Sequence, residues 1–108
     1  MRKGYSSEYA VRQKLIKEYG KQGFVKVAIG QNAPDYLILN PLKAIEVKST
    51  RGKKYYPTRH DREQFELFKE WSKKNRVKVE YWIRIGRKWR ILSLDEFGRK
   101  YLTKEAMS

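Results

Sequence analysis

The segment that most restricts the fold is Val77 to Leu92. Val77, Val79, Tyr81, Ile83 and Ile85 alternate with Lys78, Glu80, Trp82 and Arg84, the period of two that belongs to an extended strand. Gly86-Arg87 then reads as a hairpin turn into a partner strand, Lys88 to Leu92. Such a hairpin has to join a sheet, and the earlier part of the chain supplies one. Phe24 to Ala28 and Asp35 to Leu39 read as strands separated by the breaker Gly30-Gln31-Asn32-Ala33-Pro34, and Asn40-Pro41 turns the chain into a third, Ala44 to Lys48. Two helical patterns frame these strands. Ser6 to Tyr19 places Val11, Leu15 and Tyr19 at four-residue steps, with Ser6 or Ser7 as a cap, Glu8 in the first turn and Gly20 as a stop. Thr58 or Asp61 caps a second helix to about Lys74, with Phe65, Phe68 and Trp71 as its apolar contacts. Ser93-Leu94-Asp95-Glu96 fits the capping box of a short closing helix. Helix, three strands, helix, two strands predicts an α/β or α+β sandwich around a mixed sheet, and 108 residues leave room for one domain.

Charge limits the partner. Lysine and arginine number 26 against 12 acidic residues, a net charge of +14. On so small a body this predicts a polyanion, bound through counterion release. Aromatics are 14% of the chain, which argues against a disordered basic tail. With no cysteine and one histidine, disulfide scaffolds, thiolate nucleophiles, Cys/His zinc sites and paired-histidine nucleases are excluded. No run is apolar enough to span a bilayer, so a soluble, cytoplasmic protein without a membrane partner is expected.

The scarce carboxylates fall in a pattern. Asp35 opens one strand, Glu46 follows eleven positions on, and Lys48 shares Glu46's strand face. Across a tight antiparallel turn these ends are adjacent. Two carboxylates suit Mg²⁺, a hard ion that takes one or two of them and keeps several waters. The Lys48 ammonium would favour hydroxide over water and offset charge on a scissile phosphate. Glu8, on or beside the buried face of the first helix, would bind a second ion or orient a metal water, and Gln64 would fix the other groups by hydrogen bonding. The loop Arg51-Gly52-Lys53-Lys54-Tyr55-Tyr56-Pro57, with Arg59 beyond it, is expected to grip phosphates, its tyrosines stacking on or packing against sugar and base. His60, among Arg59, Asp61 and Arg62, is expected at a phosphate or the surface rather than as a general base, and Arg2 and Lys3 extend the basic set. Trp82 and Trp89 are either core or an exposed patch that pairs subunits, and the second is preferred.

Pro34-Asp35 followed by Glu46-Val47-Lys48 resembles the motif of the PD-(D/E)xK nuclease superfamily. Lys3-Gly4, Glu8, the glycine-containing loop before Asp35 and the basic tyrosine-bearing loop after Lys48 resemble the archaeal-type Holliday-junction resolvases, over roughly residues 2 to 92. Tyr9 stands where these usually carry arginine, with Arg12 one turn on, and Gln31 and Asn32 where they often carry serine. The resemblance implies a restriction-endonuclease-like mixed sheet flanked by helices, in a single nuclease domain over 1–108. It implies a homodimer whose Mg²⁺-dependent sites, with Mn²⁺ as a substitute and no small-molecule cofactor, nick opposing strands of branched duplex DNA at four-way junctions. Family roles would fall on Glu8, Asp35, Glu46 and Lys48, with the Val47 carbonyl as an extra ligand. Two other readings stay open: a related nuclease for flaps, nicked or linear duplex, and a basic nucleic-acid binder without catalysis.

Overall fold

A computed structural model describes residues 3–27 and 32–102, with side chains from Glu8 onward. Helix α1 (Lys3–Tyr19) is followed by strands β1 (Phe24–Lys26), β2 (Tyr36–Leu39) and β3 (Leu42–Thr50). Helix α2 (Arg59–Asn75), strands β4 (Lys78–Ile85) and β5 (Lys88–Ser93), helix α3 (Leu94–Phe97) and a wide helical turn, Gly98–Leu102, complete the order. The strands lie in the sheet in chain order, antiparallel throughout except for the parallel pair β3 and β4. That pair needs a long crossover, which α2 supplies.

Local chemistry accounts for the boundaries. Gly20 takes φ +83° and donates its N–H to the Ile16 carbonyl at 2.8 Å, closing α1. Thr58 caps α2: its hydroxyl accepts from the Asp61 N–H while the Asp61 carboxylate accepts from the Thr58 N–H. Ser93 and Glu96 form the same reciprocal pair on α3. Gly86, at φ +65°, turns β4 into β5, with Ile85 opposite Lys88. Two expectations at the start of the chain change. Helix α1 begins at Lys3, so Ser6 and Ser7 lie inside it rather than at its cap, and Glu8 lies beyond its first turn. Asp35 precedes β2 rather than opening it.

Helices cover both faces of the sheet. Val11 and Leu15 of α1 pack on Phe24, Tyr36, Ile38, Ile45 and Trp82; Phe65 and Phe68 of α2, with Phe97 of α3, pack on Ala44, Val79, Tyr81 and Ile83. Strand β4 is therefore buried on both sides, as a strand with a parallel neighbour tends to be. Trp82, on the polar parity of that strand, is 1% exposed beneath α1, edge-on to Trp89 and under the Lys14 ammonium. It is core, and the expected subunit-pairing patch on Trp82 is corrected. Among the described residues no helix is long and apolar enough to cross a membrane.

Candidate active site

The cleft arises where β2 and β3 part. Their pairing ends with Tyr36 opposite Ile45, so the backbone beyond has no ladder partner on that side. Asp35 fills the gap: its carboxylate accepts the Val47 N–H at 2.9 Å, and its own N–H donates to a Glu46 carboxylate oxygen at 3.2 Å. Sequence neighbours of a strand end are thereby tied to the middle of β3. Glu46 and Lys48 share one face of β3, as the period of two requires, and the ammonium lies 3.3 Å from Glu46.

Lys48 is held from three sides. Besides Glu46, its Nζ donates to Asp61 at 2.9 Å and to Gln64 at 2.6 Å, both on the first turns of α2. Gln64 thus fixes the amine directly. Asp61 is the residue missed by sequence reasoning, which treated it as a cap or a surface neighbour of His60. Its other carboxylate oxygen accepts the Tyr55 hydroxyl at 2.7 Å and the Thr58 N–H at 2.9 Å. The spacing Thr58-x-x-Asp61 was the available signal: a capping box whose acid lies in the core turns a helix terminus into an anchor.

The electrostatics separate two kinds of carboxylate. Burial, reinforced by the adjacent Asp35 charge and only partly offset by Lys48, pushes the Glu46 carboxyl up to about 8. Burial raises Asp35 as well, against the Val47 N–H and the Lys48 and Lys26 charges. For Asp61 burial acts in the same direction, yet the Thr58 N–H, Lys48 and Tyr55 outweigh it and hold the carboxyl below its usual range.

Glu8 is presented from α1 and has its own partners. It accepts from the Tyr36 hydroxyl and from Lys26, the latter at 2.9 Å, and these bonds lower its carboxyl despite partial burial. Among the described residues no three His, Cys, Asp or Glu side chains gather as a metal-ligand group. The expected convergence of three acids is therefore a convergence of two, Asp35 and Glu46, with Glu8 behind Tyr36. The pair does fit a hard divalent cation. Glu46 is buried and its carboxyl is raised further by the half-buried Asp35 beside it, so the pair is short of positive charge, and oxygen donors are what Mg²⁺ accepts.

Around the cleft, Arg51, Lys53, Lys54, Arg59 and His60 are exposed, with Arg59 ion-paired to Glu63. Tyr55 is 8% exposed, bonded to Asp61 and edge-on to Tyr101, so its expected role at DNA is corrected; Tyr56, 73% exposed, is the accessible ring of the loop. Arg2, Gly30 and Gln31 lie outside the described residues, as does the side chain of Lys3.

A five-stranded mixed sheet with helices on both faces, whose second and third strands diverge around an acidic pair and a lysine, defines the restriction-endonuclease-like fold. Among solved structures, the chain is similar to Hjc, a Holliday junction resolvase from the archaeal hyperthermophile Archaeoglobus fulgidus, with a TM-score of 0.58 and 22% identity over 81% of this chain and 77% of that one. No protein-family model matches the sequence, and comparison with curated proteins finds no match.

Proposed function

We propose that this chain is a divalent-metal-dependent endodeoxyribonuclease that resolves four-way DNA junctions, working as a homodimer whose two sites nick opposed strands. The observation that carries the reading is the hydrogen-bonded Asp35–Glu46 pair with Lys48 on the Glu46 strand face, at the divergence of β2 and β3. The shared fold with an archaeal Holliday junction resolvase supports the choice of substrate.

Asp35, Glu46 and the Val47 carbonyl would hold the cation, which when bound supplies charge at the phosphoryl oxygens and acidifies a water. The chain's own residues do the rest. Val47 N–H fixes the Asp35 carboxylate, and Asp35 N–H fixes Glu46, so neither acid is free to rotate from the cleft. Lys48 is held in place by Glu46, Asp61 and Gln64, which suits its amine to stabilise anionic oxygen. Exposed cations of the loop after β3 hold the flanking phosphates. Glu8 keeps Lys26 and Tyr36 in place beside Asp35, where it adds negative potential.

The substrate is tested by competition: with Mg²⁺ present, a labelled four-way junction is offered against unlabelled linear duplex of the same length and composition. The reading expects paired nicks in the junction that excess duplex does not suppress. Equal suppression by duplex and by junction would point to a nuclease for another DNA structure.

A further inference from the structure

Next to the site lies a surface feature that the reaction itself does not require. The loop after β3, strand β5 and the turn Gly98–Leu102 enclose a groove of about 390 Å³, with Lys53, Lys54, Arg90 and Lys100 on its walls and Tyr56 and Tyr101 between them. The four cations are exposed, and no carboxylate lines the groove. Among the described residues none of the four is ion-paired; Lys100 leans over the Tyr101 ring at 5.9 Å instead. A second pocket of about 310 Å³, which contains Lys48, Asp61 and the Thr58 hydroxyl, shares the walls Tyr55 and Tyr56 with this groove. The groove thus lies beside the place where Lys48 would meet a phosphate.

Like charges gathered in a concavity repel one another, and a row of anions relieves that repulsion. Cations set beside an exposed aromatic ring match a strand of nucleic acid, whose phosphates take the charge and one of whose bases takes the ring. We propose that the Lys53, Lys54, Arg90 and Lys100 groove is the track for the DNA backbone flanking the phosphate at Lys48, with Tyr56 as the stacking platform for a base. The proposal rests on the nuclease reading for the identity of the strand, but it is a statement about binding and is measured without cleavage.

Binding of a fluorescent four-way junction is titrated without divalent metal over a range of salt concentrations, for the wild type, Arg90→Ala/Lys100→Ala, and Lys73→Ala/Lys74→Ala. The last pair removes equal charge near the far end of α2, about 22 Å from its N-terminus at 1.5 Å per residue. Each lost phosphate contact lowers the log–log salt slope by about 0.9, so the groove pair should reduce it by about 2 while the α2 pair leaves it near the wild-type value. Tyr56→Ala should weaken binding roughly tenfold without changing the slope, because stacking releases no counterions. A groove pair with the wild-type slope, or with no larger change than the α2 pair, overturns the proposal, and a Tyr56→Ala protein of full affinity removes the stacking platform. The same proteins are then given Mg²⁺. Cleavage with an unaltered salt slope would sink the groove and keep the nuclease; the predicted slope in a protein that never cuts would keep the groove and sink the nuclease.

Discussion

Glu46 holds a proton in the fold that it would release in the unfolded chain. Its ordinary value is near 4.5 and burial lifts it to about 8, so between those pH values the native state binds more protons than the unfolded one. Stability from this group is therefore present in acid and declines as pH rises through that window. Replacing it with a neutral isostere removes the penalty. In metal-free protein Glu46→Gln should raise Tm at pH 8 by several degrees, about the 4–8 °C that ~1 kcal/mol yields in a domain of this size, and the gain should vanish near pH ~5. A thermal scan at both pH values with chelator checks this. Asp61 carries the opposite sign. Its lowered carboxyl contributes stability above its ordinary value near 3.8, and that contribution is lost as pH falls through the folded value. Asp61→Asn turns an amide N–H toward Lys48, Tyr55 or Thr58 and leaves a donor facing a donor. It should cost ~1–3 kcal/mol, read as a lower urea midpoint at pH 7 with an unchanged m-value.

Elements place these residues, and their joints are tight. At the α1–β1 joint a Cβ on Gly23 would lie 2.0 Å from the Tyr19 carbonyl oxygen, a backbone atom that cannot swing aside. Gly23→Ala should therefore destabilise the protein by ~1–3 kcal/mol, whereas Gly52→Ala, whose Cβ would have its nearest contact at 3.7 Å, should be near neutral; chemical denaturation of the two variants decides. The element order was legible in the sequence because turns and caps there are made by residues with one main use: Gly20, Asn40-Pro41, Thr58, Gly86 and Ser93 each stand at a break. The meeting of Asp35 with Glu46 was legible too, since a short antiparallel connection brings its outer ends together. What strand periodicity cannot report is how many faces are covered. Trp82 looked exposed because its strand neighbours Glu80 and Arg84 are charged, but α1 lies on that face, and Trp82 donates its indole N–H to Glu80 at 3.1 Å. Tyr55 sat among cations in a loop and looked accessible. Only the α2 capping box, through Asp61, shows why its ring turns inward. Glu8 has the right distance along α1 to approach the site, yet Tyr36 and Lys26 take its carboxylate, which acts on Asp35 only through its charge.

At the scale of the molecule, 26 cations surround 12 acids, and one of those acids, Glu46, is buried at the site against the half-buried Asp35. A protein that only bound polyanions would gain from a neutral residue at Glu46, because burial and the adjacent Asp35 charge raise its proton affinity and cost stability near neutral pH. The arrangement is explained if a cation completes it and phosphate chemistry follows. The most direct test is single-turnover cleavage of a four-way junction by wild type, Asp35→Asn and Lys48→Ala, each with Mg²⁺ and with chelator. Wild type should cut only with Mg²⁺, and both variants should lose at least ~100-fold in rate, the scale on which removing one transition-state contact is felt, while binding the junction as tightly as wild type in chelator. Cleavage by Asp35→Asn or Lys48→Ala at the wild-type rate, or by the wild type in chelator, would contradict the account.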